Sequence, residues 1–271
     1  MELWIGAITQ GAAYALLALA VFLSFRVLRF PDISVDGTFT SGAAIFGVLL
    51  AQNLNLWLAL GVAFLVGAVG GAITGLIHTR LHINDLLSGI ITMTALYSVN
   101  LRVMGRSNLP VSGGELGYAV FGIALLAVAI LWWFLRTDYG LALRAVGDNP
   151  EMSAAQGINV RNVKTVGLSL SNGFAALGGA VIAQYNGFAD ITMGIGALVT
   201  GMAGVMIGER FLPPKSVLFA VGGALVGSVV FRLLIAGALQ AGMNPIDLKL
   251  ITAGFVLIAL ALPRMSKGRA R

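Results

Sequence analysis

Cysteine is absent from this 271-residue chain. That excludes disulfides, thiolate metal sites and a cysteine nucleophile, and it leaves the redox compartment undetermined. Charge is scarce: Asp, Glu, Lys and Arg make up 10% of residues, against about 25% in an ordinary soluble domain. Catalytic signatures are missing as well. There is no G-x-x-x-x-G-K-[ST] loop to cradle a nucleotide phosphate, no H-E-x-x-H, no G-x-S-x-G, and no pair of acids in an apolar segment suited to carrying protons. His78 and His82 are four apart and share a helical face, but no third ligand accompanies them, so they read as polarity at an interface rather than as a metal site. No catalytic and no metal-binding residue is assigned.

What is abundant is apolar: hydrophobic residues make up 58% of the chain, and there are 36 glycines. A hydrocarbon core of roughly 30 Å needs about 20 apolar residues to cross it. Nine candidate segments meet or approach that length, near 3–25, 37–53, 56–79, 84–104, 117–136, 163–186, 194–211, 215–236 and 246–262. The segments near 37–53 and 194–211 are short and broken by glycine and polar residues, as half-helices would be. The net charge of +6 does not indicate a nucleic-acid partner. Most of the basic residues, among them Arg26, Arg29, Arg80, Arg144, Arg161 and Lys164, fall on one side of this topology, and basic loops favour the cytoplasmic face. The first apolar run has no basic residues ahead of it and Arg26 and Arg29 behind it, which places the N-terminus outside. Nine crossings then bring the basic tail PRMSKGRAR into the cytoplasm.

The chain also repeats itself. Asp32-Ile33-Ser34-Val35, followed by Ser41-Gly42-Ala43-Ala44, returns as Asp190-Ile191-Thr192-Met193, followed by Thr200-Gly201-Met202-Ala203. Further on, GGAITGLIHTRL at 70–81 matches GGALVGSVVFRL at 222–233. The parity of the crossings puts the two copies in opposite orientations. The expected fold is therefore an all-α integral membrane protein of about nine transmembrane or half-spanning helices in two inverted repeats, an architecture shared by transporters of several kinds. Repeat one covers about 1–104, a central span with its loop covers 105–162, repeat two covers about 163–262, and the basic tail is 263–271. Gly67, Gly71 and Gly75, like Gly223 and Gly227, put small residues on one helical face for close packing.

Polar residues inside such a chain need a reason. The stretch PDISVDGTFTSGA at 31–43 has two readings. Asp32, Ser34 and Asp36 suit capping of a broken helix, where side-chain oxygens take up amides that lipid cannot satisfy. Asp36, Thr38, Thr40 and Ser41 also suit the lining of a transport path. Asn100 and Asn172 lie in or near spans and are path candidates by the same logic, although asparagine also joins helices. Arg232 sits deep enough in its span to reach the outer interface by its long side chain.

The longest loop is TDYGLALRAVGDNPEMSAAQGINVRNVK at 137–164. Asn149 is a good N-cap, Pro150 fits the first helical position, Glu151 complements the helix N-terminus, and Gly157 ends the helix. Met152, Ser153, Ala154 and Ala155 complete a helix too short to be stable alone, so it is expected to dock, as a plug would, into its own membrane domain or a partner.

The run Gly147, Asn149, Gly157, Ile158, Asn159 and Val160 resembles the cytoplasmic coupling loop of the branched-chain amino acid and ribose type permeases of bacterial ABC importers. FPDISVDGTF at 30–39 is similar to a smaller subgroup of that family linked mainly to amino acids, including aromatic ones. The resemblance extends over about 10–262. It implies a permease subunit in the bacterial inner membrane, working as a homodimer with two cytoplasmic ABC ATPases and an extracytoplasmic solute-binding protein. On that resemblance the helix at Asn149–Gly157 couples to the ATPase, ATP and Mg reside on the partner, and this chain binds no cofactor and is not an enzyme. The residues themselves leave open an ion-coupled secondary transporter with inverted repeats, and an importer for a sugar or nucleoside.

Overall fold

The computed structural model describes residues 2–111 and 116–244, and residues 247, 250, 252–254 and 257. Helix α1 (Glu2–Val21) runs directly into a π-helical segment, Phe22–Val27. Next come α2 (Ser34–Ala51), α3 (Leu56–Leu81), α4 (Asp85–Met104), strand β1 (Asn108–Pro110) and α5 (Ala119–Arg136). The long loop holds α6 (Asp138–Asp148) and α7 (Pro150–Ala155). The second half runs α8 (Val160–Asn186), β2 (Phe188–Asp190), α9 (Ala197–Phe211) and α10 (Val217–Gln240). Eight of the nine expected segments coincide with these helices. The ninth, 246–262, lies mostly outside the described residues, and the tail 263–271 lies wholly outside them.

Among the described residues, seven helices are long and apolar enough to cross a membrane. The exception among the eight is α9, whose 15 residues reach only about 22 Å at 1.5 Å per residue. The expected half-helix near 194–211 is therefore short, as anticipated, because the six residues before it, 191–196, are spent in turns. The other suspected half-helix is not one. α2 is continuous over 18 residues, long enough for roughly 27 Å.

Burial sorts the helices into a centre and a shell. Over their most apolar windows α2 and α8 are each 78% buried and α1 is 67% buried, whereas α4 is 22% and α5 28% buried. In lipid, a helix that buries little of itself turns the rest of its apolar surface outward. The glycine rows act where the sequence places them. A Cβ at Gly67, Gly71 or Gly75 would overlap Asn172, Leu168 or Thr165 of α8, so α3 and α8 meet backbone to backbone. Gly227 is pressed against Gly204 and Gly208 of α9 in the same way.

The duplication is visible as one turn built twice. The Asp32 carboxylate accepts the Ser34 amide at 2.9 Å and also the Ser34 hydroxyl. The Asp190 carboxylate accepts the Thr192 amide at 2.8 Å and also the Thr192 hydroxyl. The face of the bundle that carries α6 and α7 is called here the loop face. The Asp190 turn belongs to the antiparallel pair β1–β2, in which Asn108 faces Asp190 and Pro110 faces Phe188. Strands this short, one of them ending in proline, left no alternating pattern in the sequence. The Arg232 guanidinium lies 3.6 Å over the Tyr14 ring and bonds Gln10, which ties α10 to α1.

Candidate functional site

The loop at 137–159 is more structured than its sequence suggested. α7 forms where the capping signals put it: the Asn149 side chain accepts the Met152 amide at 2.9 Å, and Pro150 is in the first turn. Ser153 is buried and its hydroxyl bonds the Asn149 carbonyl at 2.8 Å. Glu151, Met152, Ala154 and Ala155 are exposed, and Met152 is 60% exposed. Gly157 takes a left-handed φ of 85°, which a side chain would strain. One side of a six-residue helix is therefore held and the other is presented.

What holds it is α6, which the sequence reading missed. Thr137 caps its N-terminus, accepting the Gly140 amide. Leu143 and Val146 point into the protein and are fully buried. Gly140 and Gly147 disguise this amphipathic helix, yet both are needed for close contact. A Cβ on Gly140 would meet the Phe134 carbonyl, and one on Gly147 would meet the Val27 carbonyl. The signal that was available is the Thr137–Asp138 start followed by Leu143 and Val146 at helical spacing.

Gly147 thus seats the α6–α7 unit on the π-helical end of α1. There Leu28 N–H reaches back to the Leu23 carbonyl at 3.0 Å, and Phe30 N–H to the Ser24 carbonyl at 2.9 Å. π-turns within α-helices often occur at functional positions. Two ion pairs leave this segment in different directions. Arg29, itself left-handed at φ 52°, bonds Asp148 of α6 at 2.6 Å. Arg26 grips Glu209 of α9 with two nitrogens, one at 2.8 Å. A cavity of about 720 Å³ opens beside the second pair, between α1 and α9, lined by Arg26, Arg29, Met202, Met206 and Glu209 among others.

The six path candidates do not line that cavity. Asn172 and Thr38 come together with Asp32 and Ser34 in a fully buried cluster. Asn172 donates to Asp32 at 2.6 Å and to the Leu168 carbonyl at 3.0 Å, while Thr38 donates to Asn172 at 2.6 Å. A carboxylate taken out of water is tolerable only when it is bonded in this way. Asn100 donates to the Gly37 carbonyl, and Thr40 and Ser41 bond back to carbonyls of α2. Asp36 has an unforeseen partner. It does not cap α2, and neither does Ser34; Asp36 reaches across to the other repeat, where its oxygens accept the amides of Gly196 at 3.0 Å and Leu198 at 2.7 Å. These are N-terminal amides of α9, so repeat one caps the broken helix of repeat two.

In the β1–β2 pair, partial burial pushes the Asp190 carboxyl up, but hydrogen bonds from Thr192 and Asn108 outweigh it and hold the group below the usual carboxylate range. On the loop face, burial pushes the Tyr139 phenol up. His78 links α3 to the loop face, with Nδ1 at 2.9 Å from the Ile83 carbonyl and Nε2 at 3.2 Å from Lys164. Among the described residues no group of His, Cys, Asp and Glu is arranged to hold a metal.

An apolar helical bundle with a short, capped, outward-facing helix on one face narrows the choice, and the sequence profile described as branched-chain amino acid transport system / permease component matches residues 3–261. The chain belongs to that family. This permease is 38% identical to the tyrosine transport system permease protein of Clostridioides difficile (strain R20291), over 95% of this chain and 90% of the relative. It is 25% identical to the galactose/methyl galactoside import permease protein of Salmonella typhimurium, over 97% and 87%. It is likewise 25% identical to the ribose import permease protein of Haemophilus influenzae, over 90% and 77%. Among solved structures, a chain of PsaBC from Streptococcus pneumoniae in complex with Fab has the same fold, with a TM-score of 0.54 at 16% identity, covering 96% of this chain and 91% of that one. The chain is an integral membrane protein and the permease component of an ABC importer, a transport subunit rather than an enzyme.

Proposed function

We propose that this permease carries an amino acid, of which an aromatic one such as tyrosine is the best-supported choice, from an extracytoplasmic binding protein into a bacterial cell. The relative at 38% identity is named a tyrosine permease, while the sugar permeases stand at 25%. In this reading the loop face is cytoplasmic, the C-terminus lies on the same side, and two copies of the chain enclose the path. ATP and Mg are bound by two separate ATPase subunits, each of which receives one α7.

The observation that carries the reading is α7 itself. It is a pre-capped helix whose outer residues Glu151, Met152, Ala154 and Ala155 are exposed while Ser153 is anchored. A helix of six residues does not persist unsupported in water, so its cap, its glycine stop and its seat on α6 amount to a built docking element. Movement of a partner against α7 passes to α6, and from there through Gly147 and the Arg29–Asp148 pair to the π-helical end of α1. The Arg26–Glu209 pair passes it on to α9. Because α9 starts on the Asp36 cap of the other repeat, the movement is handed on from one half to the other, as alternating access requires. Asp36, Thr38, Asn100 and Asn172 hold α2, α4, α8 and α9 in register around that path, while Thr40 and Ser41 bond within α2.

The test is uptake of labelled tyrosine into vesicles holding the permease, with and without the ATPase and binding protein. Uptake that needs ATP and both partners, and that phenylalanine but not galactose or ribose competes, is the expected result. Uptake driven by an ion gradient alone would favour a secondary transporter, and competition by sugar would move the substrate to that class.

A further inference from the structure

Beside the coupling unit, the loop face holds a second concavity of about 440 Å³, walled by the end of α3, by α6 and by the start of α8. Arg80 and Arg161 stand at its mouth, and Thr79, Thr165 and Tyr139 form its polar wall. Among the described residues neither arginine forms an ion pair with a carboxylate. The hydroxyl protons of the wall are already committed: Thr79 donates to the Gly75 carbonyl, Thr165 to the Arg161 carbonyl, and Tyr139 is 3.4 Å from the Asn162 carbonyl. The pocket therefore offers cationic donors at its rim and spare hydroxyl lone pairs within. That chemistry fits a phosphodiester whose head group carries hydroxyls.

Where the pocket opens decides the source. Leu76 and Val166 also line it, each about one turn toward the membrane from a rim arginine, and both are exposed. On α3, Leu76 continues a row of exposed apolar side chains, Leu65, Val69 and Ile73, at helical spacing. An acyl chain could lie along that row with its phosphate at Arg80 and Arg161. Basic pockets between spans on the cytoplasmic side are suited to anionic head groups, at about 1 kcal/mol per basic residue. We propose that this pocket is a binding site for an anionic phospholipid of the inner leaflet, phosphatidylglycerol-like in chemistry. It has no part in the solute path. Because its walls include α6 and the start of α8, a lipid bound there braces the unit that carries α7.

The experiment uses the full-length permease in nanodiscs of mixed phosphatidylglycerol and phosphatidylcholine, with retained lipid counted by native mass spectrometry. Wild type should retain phosphatidylglycerol in preference to phosphatidylcholine, and R80Q/R161Q should retain it about thirtyfold more weakly, two basic contacts having been lost. R80K/R161K guards against misfolding: it keeps both charges and should keep the lipid. R102Q, at the far end of α4, should retain it fully. Equal retention by R80Q/R161Q would overturn the assignment. So would displacement of the lipid by free glycerol 3-phosphate, which would make the pocket a soluble-anion site. Loss of ATPase capture with lipid retention intact would assign the arginines to a protein contact instead and also overturn it.

Discussion

The Asp36 carboxylate is the contact whose removal says most about how the two repeats are joined. It is buried, and it takes up two amides of α9 that sit 160 and 162 residues away. Asp36→Ala leaves the Gly196 and Leu198 N–H groups without that acceptor in a part-buried site. Each orphaned amide costs about 1–3 kcal/mol, and loss of an N-cap by itself costs about 0.5–2 kcal/mol. These two figures overlap, so the expected loss is about 2–5 kcal/mol. Asp36→Asn keeps one acceptor oxygen and loses the charge assistance, so it should cost about 1–2 kcal/mol. Unfolding in mild detergent by a graded denaturant would measure both. Limited proteolysis at residues 191–196 should show the turn before α9 opening first. If Asp36→Ala lies within about 0.5 kcal/mol of wild type, the range expected of an indifferent surface change, the carboxylate is not holding α9 and the cross-repeat cap is wrong.

Four further outcomes follow from other contacts. Gly147→Ala must push α6 off the Val27 carbonyl; ATPase stimulation should fall while the membrane bundle stays folded by thermal melting. Gly71→Ala should destabilise by about 1–3 kcal/mol through overpacking of the α3–α8 seam, whereas Gly222→Ala, with open space at its Cβ, should be neutral in the same melt. Asn172→Leu removes the Asn172 donor from the buried Asp32 carboxylate and leaves it only Ser34; it should cost about 1–3 kcal/mol in denaturant unfolding. Asp190 has a folded pKa below its ordinary 3.8, so its stabilisation is complete above that value and is lost as pH falls through the lower, folded value. Amide exchange at Val111 and Ile191, which flank β1–β2, should quicken with acid, and Asp190→Asn should remove that dependence.

The sequence alone determined which segments are apolar enough to enter a membrane, because that is a sum over one continuous segment. Fifty-eight per cent apolar residues arranged in runs of about 20 partition into lipid whatever their neighbours do. It also determined α7, since the bonds that start it at Asn149 and stop it around Gly157 span only three to five residues. The turns at Asp32 and Asp190 were legible as a repeat for the same local reason. Tertiary structure decided what the polar residues of those runs touch. Asp36 looked like a cap for its own helix or a lining group, and only packing could bring the amides of α9 to it. α6 was hidden by two glycines whose purpose is contact with carbonyls of Phe134 and Val27. Asn172 and Asp32 meet across 140 residues. A carboxylate or a glycine records in the sequence that a partner is required, but the identity of that partner is fixed by distances that exist only after the helices have packed.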